Sequence, residues 1–280
     1  MRAIASRADD LALALVGIAG LVIFVAPLLS GSALAQNEVL FTALVACAAL
    51  AVMALALQTH RLSTRLLAVL AALVAIDATL RLVIVVGLLG FSPIFFLIIA
   101  GGYVMGPSFG FALGSLTLLL SAVLTAGFGP WLPYQMLASG WVGMGAGYIG
   151  RFSTPSLTLP TRGREMMALA VYGCAAGFAY GVLLDVWEWP FLLGSGSSPI
   201  SWTPHLPLPD LVRRFAAFYL TTSLVYDAFR AAGNVLLLAV LGAPVIAALR
   251  RFRRRFLVQW NLLESPWTPA KISEDVRTPA

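Results

Sequence analysis

Six ionisable side chains interrupt stretches that are otherwise apolar: Asp77, Arg81, Asp185, Glu188, Asp227 and Arg230. A charge inside a membrane span costs about 2.5–3.5 kcal/mol on insertion scales, so such residues face protein or a cavity and mark functional positions by default. Two of the spacings soften that cost. Asp77 and Arg81 stand four apart and Asp227 and Arg230 three apart, so on a helix each acid can meet its base along one face. Ser223 and Asn234 extend the second pair into a polar stripe, to which Asn234 brings both donor and acceptor groups. The carboxyl groups of Asp77, Asp185, Glu188 and Asp227 have the chemistry to hold a polar ligand, relay a proton or act as acid and base. The stripe has a structural alternative, in which it ties its own helix to the helix of Asp77 and Arg81.

A different chemistry gathers in 127–141, where Trp131, Tyr134, Gln135 and Trp141 are punctuated by Pro130 and Pro133. Aromatic faces with a single amide suit a small-molecule pocket, which is mostly apolar with few placed polar groups. They equally suit an aromatic belt at headgroup depth. Trp187, Glu188 and Trp189 precede a Gly-, Ser- and Pro-rich connection, 190–210, which is expected to bring Trp202 and His205 to the outer surface, as a lid or as an inert loop.

Other chemistries lack their residues. His60 and His205 are the only histidines, and Cys47 and Cys174 are far apart without a CxxC pattern, so no metal, haem or disulfide framework is expected. The sequence has no HExxH, GxSxG or GxxxxGK[ST] pattern, so neither a hydrolytic enzyme nor an ATPase is expected, and no cofactor. The net charge of +6 does not imply nucleic acid, because most arginines flank apolar segments.

The elements that carry these residues are membrane helices. With 60% hydrophobic and 11% charged residues, against about 25% charged in soluble domains, the chain reads as an all-α polytopic membrane protein. A helix crosses the ~30 Å hydrocarbon core with about 20 apolar residues. Runs of that kind fall at 11–29, 38–58, 66–89, 108–126, 131–150, 165–189 and 228–249. Two further segments, 93–105 and 211–226, are ambiguous: the first is short, and the second opens with Arg213 and Arg214. The arginines arbitrate. Arg61 and Arg65, then Arg151, Arg162 and Arg164, then Arg250–Arg255 all fall on the inner side only if 93–105 crosses and 211–226 does not. The expected topology is therefore eight crossings, both termini cytoplasmic, with 211–226 an outer-surface or partly inserted helix.

The segment after Arg2 and Arg7, ending in Ala33-Leu34-Ala35, has the layout of a secretory signal, but its apolar run exceeds the usual ~7–15 residues and follows Asp9 and Asp10. An uncleaved span is expected. The tail 256–280, with Pro266, Pro269 and mixed charges, reads as cytosolic and mostly disordered.

Small residues recur every four positions in three rows: Gly106/Gly110/Gly114, Ser139/Gly143/Gly147 and Gly173/Gly177/Gly181. Such rows let helices approach closely in lipid, and packing within one bundle is the expected use. On the helix 66–89, Ala68, Ala71, Ala72 and Ala75 share a face opposite Asp77 and Arg81.

Phe95–Tyr103, Phe109–Ser115, Leu120–Gly127, Gly129–Met136, Phe218–Ser223 and Asp227–Asn234, in that order, resemble the substrate-binding S components of actinobacterial energy-coupling factor (ECF) transporters. The resemblance covers roughly 61–255 and implies a six-helix S-component-like core, here preceded by two extra transmembrane helices in 1–60 and followed by the tail. It also implies a multi-pass protein of the plasma membrane that captures a vitamin or similar micronutrient from outside, with cobalamin the first candidate. The implied partners are a membrane-embedded T component and two ECF ATPase subunits. In S components an AxxxA surface on the first core helix docks on the T component, and Ala68/Ala72 and Ala71/Ala75 match that spacing. Candidate substrate-binding residues are Asp77, Arg81, Trp131, Tyr134, Gln135, Trp141, Glu188, Asp227, Arg230 and Asn234. The alternatives are a proton-coupled secondary transporter, although no internal repeat is visible, an intramembrane enzyme using Asp77, Asp185, Glu188 or Asp227, and a structural subunit.

Overall fold

The computed structural model describes residues 64–84, 94–152, 162–192 and 198–263, with scattered positions between 14 and 28 and Cys47. Seven helices fall in the described residues from Thr64 onward: α1 (Thr64–Ile84), α2 (Ile94–Met105), α3 (Pro107–Thr125), α4 (Leu132–Phe152), α5 (Arg162–Leu192), α6 (Leu208–Thr222) and α7 (Leu224–Leu263). No strand occurs among the described residues, and the positions described between 14 and 28 are helical as well. By length and composition, three helical stretches can cross a membrane: Pro107–Thr125, Gly163–Phe191 and Leu224–Arg255. The run at 38–58 lies outside the described residues apart from Cys47. The expected boundary between core and tail, at 255/256, falls inside α7, so the part of the tail up to Leu263 is helical rather than disordered.

Sequence pattern decides which helix goes where. In α2 every residue from Phe95 to Val104 is buried, as an all-round apolar helix must be. It occupies the centre of the bundle, touching α1, α3, α4, α5 and α7. Its 12 residues span only about 18 Å, so it is a core strut more than a membrane-length rod. α1 buries a single stripe, Leu70, Leu73, Val74, Asp77 and Ala78, against this core. Its opposite face, with Ala68, Ala71, Ala72 and Ala75, is exposed.

The glycine rows are the seams of the bundle. Gly143 of α4 sits against the backbones of both Gly102 and Gly110, so that α2, α3 and α4 converge where any side chain would collide with main chain. One turn away on each side, Gly114 meets Ser139 and Gly147 meets the Gly106–Pro107 peptide. The Ser139 hydroxyl donates to the Gly114 carbonyl at 3.1 Å, and Ser115 donates to the Met136 carbonyl at 3.0 Å. The third row faces α7: Gly173 lies against Asn234 and Leu238, Gly177 against Ala231, and Gly181 against the Asp227 carboxyl group.

Two tight reversals set this register. α2 ends and α3 begins around the single residue Gly106, at φ 108°, a conformation open to glycine and strained for other residues. Pro107 then takes the first position of α3, where its missing N–H costs nothing. At the other end of α3, Ala126 adopts the left-handed cap and the Gly127 N–H returns to the Ala122 carbonyl at 2.9 Å.

The bundle has two chemically distinct ends. At one, Arg250 forms an ion pair with Glu165 and lies over the Tyr103 ring, and Arg253 donates to the Val104 carbonyl at 2.7 Å. At the other end stand Trp131, Trp187, Glu188, Trp189 and Trp202. α2 connects the two levels, with Phe95 packed edge-on against Tyr180 at 4.8 Å and Tyr103 beside Arg250.

The expectation for 190–210 is corrected in part. Trp202 is buried, not on the outer surface, in a small cluster with Trp189 and Phe218. The Trp189 indole N–H holds the Ile200 carbonyl at 2.8 Å and Arg214 reaches the Ser201 carbonyl at 3.3 Å, so this part of the connection is fastened to α5 and α6. His205 is exposed, as expected. The aromatic pull of Trp189 and Phe218 outweighs the polar composition of the connection. α6 turns into α7 at Ser223, whose N–H and carbonyl continue the helical ladder to Tyr219 and Asp227.

Candidate functional site

The aromatic stretch before and within the first turn of α4 meets the last turns of α5 around a cavity of about 300 Å³. Trp131 and Gln135 line it from the α4 side, and Leu184, Trp187 and Glu188 from the α5 side. Pro130 and Pro133 bracket the start of α4, so that its first turn projects Trp131 and, one turn on, Gln135 to the same side. On α5 the spacing of Leu184, Trp187 and Glu188 puts all three on one face.

The cavity has a firm floor. Tyr134 is fully buried and stacks on Trp187, with centroids 4.3 Å apart and planes 28° apart, and Trp187 also leans on Phe191. Such a pair contributes about 0.5–1.5 kcal/mol beyond its burial and fixes the indole that lines the cavity. Phe24, from the N-terminal helical segment, packs edge-on against Tyr134 at 5.0 Å and against Trp141 at 5.5 Å, and is itself fully buried. Trp131 remains substantially exposed at the mouth.

Beneath and beside the cavity lie two polar seams. In the α5–α7 seam, Asp227 ion-pairs with Arg230, which also donates to the Gly177 carbonyl at 3.4 Å and covers the Tyr180 ring at 5.1 Å. Tyr219 donates to Asp227 Oδ2 at 3.0 Å; burial and the adjoining Asp227 carboxylate push the Tyr219 phenol up to about 12. Asn234 donates to the Gly173 carbonyl at 2.8 Å. In the α1–α3 seam, Arg81 donates to Ser121 at 2.9 Å, whereas both carboxyl oxygens of Asp77 are buried without a well-formed hydrogen bond among the described residues, beside Thr117 and Arg81. Asp185 is buried on α5 between the cavity and the Asp227 pair, near Ser223.

The sequence-predicted residues therefore separate into four groups. Trp131, Gln135 and Glu188 line the cavity together, and Tyr134 supports it from below. Trp141 sits half-buried two turns deeper on α4, against Phe24 and Gly20. Asp227, Arg230 and Asn234 bind the glycine row of α5; the alternative of a tie to the Asp77–Arg81 helix gives way to this one, because only glycines let a polar stripe come so close. Asp77 and Arg81 belong to the α1–α3 seam. Leu184 and Trp187 also line the cavity and are not among the candidate substrate-binding residues expected from the sequence. Their spacing ahead of Glu188, at four and one positions, was the available signal. Among the described residues, no group of three metal-ligating side chains comes together.

No family model matches the chain, and neither a curated protein nor a solved structure matches it.

Proposed function

We propose that this protein is the substrate-capture S subunit of an ECF-type importer in the plasma membrane, with a six-helix core, two preceding spans, and both termini inside. The observation that carries the reading is the aromatic-lined cavity in an apolar helical bundle, at the end away from the Arg250–Arg255 run. A cavity of this kind, with one amide and one carboxyl group among apolar walls, binds small molecules. The exposed Ala68, Ala71, Ala72 and Ala75 face of α1 supports a docking role, since it is backed by the core and left uncovered by the helices among the described residues. In this reading the ligand enters beside Trp131, the T component engages α1, and two ATPase subunits drive the loaded subunit to deliver its cargo inward. The volume of about 300 Å³ lies at the low end of the ~300–1,000 Å³ typical of ligand pockets, which favours a compact micronutrient over cobalamin.

The test is co-expression with a T component and two ECF ATPase subunits from an actinobacterium, read by copurification and ATP-dependent uptake. Native mass spectrometry of the purified chain identifies the cargo. We expect Ala71→Leu/Ala72→Leu to abolish copurification while the isolated chain keeps its bound small molecule, and Gln135→Ala to lose the small molecule while assembly persists. No assembly with any T component overturns the reading. Uptake by the isolated chain on a proton gradient alone, lost in Asp77→Asn, would favour the secondary-transporter alternative, which draws its support from the buried Asp77 carboxyl, without a well-formed hydrogen bond among the described residues.

A further inference from the structure

The charges around the cavity specify its ligand further. Among the described residues, the half-buried cations on this side of the bundle each have a partner away from the cavity, Arg214 at the Ser201 carbonyl among them. Arg230 is ion-paired to Asp227, and Arg81 donates to Ser121 beside Asp77. The charged groups acting on Asp185 are Asp227, Glu188 and Arg230, and since Arg230 is matched by Asp227, two carboxyl groups stand without a counter-ion. One of them, Glu188, lines the cavity; the other, Asp185, has a buried oxygen without a hydrogen-bond partner among the described residues. Among the described residues, no lysine, arginine or histidine lines the cavity. Besides Glu188 the walls are Gln135, Leu184 and two indoles, of which Trp187 has one face stacked on Tyr134 and Trp131 is substantially exposed; indole faces attract cations through their quadrupoles, most strongly among the aromatic side chains.

We infer that the cavity takes a compact organic cation, a quaternary ammonium or an N-alkylated heteroaromatic ring, seated against Trp131 and Trp187 with Glu188 as its counter-charge. Gln135 is then the single uncharged polar contact, suited to a hydroxyl, amide or ring nitrogen on the ligand. An anionic vitamin is disfavoured, because the Glu188 carboxyl group faces it and the described residues that line the cavity include no cation. A bulky ligand is disfavoured by volume. The inference rests on the reading of this cavity as a capture site, and it is independent of which machinery delivers the cargo.

The test is isothermal titration of the purified full-length chain with choline, tetramethylammonium and 1-methylpyridinium. Two controls accompany them: 3,3-dimethyl-1-butanol, the uncharged isostere of choline, and isonicotinate, an anionic ring of similar size. We expect at least one cation to bind on the order of tenfold more tightly than its uncharged or anionic counterpart, with that margin lost in Glu188→Gln. Trp131→Leu, at an exposed position, is expected to weaken cation binding without altering the unfolding temperature of the free protein. Equal binding of choline and 3,3-dimethyl-1-butanol, an unchanged cation affinity in folded Glu188→Gln and Trp131→Leu, or no binding by any of the three cations each overturns the proposal. If cations bind but the chain never assembles with a T component, the transporter reading fails and the ligand class stands. The reverse pattern fails the ligand class alone.

Discussion

Asp227 and Arg230 illustrate what a spacing can and cannot tell. Three residues of helix bring the two charges together, and the structure pairs them. The same rule applied to Asp77 and Arg81 fails, because Arg81 turns to the Ser121 hydroxyl of α3, 40 residues away, at 2.9 Å, and makes no hydrogen bond to Asp77. Spacing within one helix ranks its internal neighbours; it says nothing about a better acceptor on the helix next door. The Asp227 pair is nearly buried on the acid side, so its loss leaves a charge in a poorly solvated seam. Breaking one half of a buried ion pair costs about 3–5 kcal/mol, whereas replacing both halves by apolar groups is often near neutral. Asp227→Asn should therefore lower stability in detergent by that order, and Asp227→Leu/Arg230→Met should recover most of the loss. Denaturant titration of the three proteins checks this. Equal loss in the single and double variants would mean that the pair itself, rather than the orphaned charge, supplies the stability.

At the scale of elements, helix positions follow closely from the apolar runs: α1, α3, α4 and α5 coincide with segments visible in the sequence to within a few residues. The glycine rows were legible too, because close approach has few chemical solutions and the four-residue period names the face. What was illegible is who packs on whom when the contact is aromatic. Nothing in the spacing of 11–29 announces that Phe24 enters between Tyr134 and Trp141, since a phenylalanine in an apolar helix looks the same facing lipid or protein. The structure gives that N-terminal segment a role: it closes the far side of the aromatic layer whose near side lines the cavity. The Gly20 position fits the same contact, lying against the Trp141 ring. Removing Phe24 opens a void under Tyr134 rather than exposing surface to water. Phe24→Ala should cost about 3 kcal/mol, at the lower end of large-to-small core substitutions, and should weaken ligand binding through a loosened Tyr134–Trp187 stack. The checks are thermal unfolding and acrylamide quenching of tryptophan fluorescence. An unfolding temperature equal to that of the unsubstituted chain would place the N-terminal segment outside the folded unit.

At the scale of the whole molecule, the basic run Arg250–Arg255 and the cavity-lining tryptophans stand at opposite ends, and the proposed orientation rests on that separation. Arg250 and Arg253 bind Glu165 and the Val104 carbonyl at one end, while the cavity opens between α4 and α5 at the other. In the proposed orientation the positive-inside bias predicts the first end in the cytoplasm and the cavity mouth outside. Between Phe128 and Arg254 the chain runs through α4, α5, α6 and α7. If α6 stays on the outer side as an extension of α7, only three of these helices cross, and the two positions lie on opposite faces of the membrane. If α6 crosses as well, the positions share a face. Both side chains are exposed, so each accepts a cysteine without disturbing the core. In a background with Cys47 and Cys174 replaced by alanine, Phe128→Cys should react with a membrane-impermeant maleimide on intact cells, and Arg254→Cys only after permeabilisation. His205→Cys, in the segment anchored by Trp189 and Arg214, should label from outside together with Phe128→Cys. Labelling of both Phe128→Cys and Arg254→Cys from outside would make α6 a span and invert the reading of the basic clusters. Labelling of Arg254→Cys alone would turn the cavity toward the cytoplasm and remove the capture role with it.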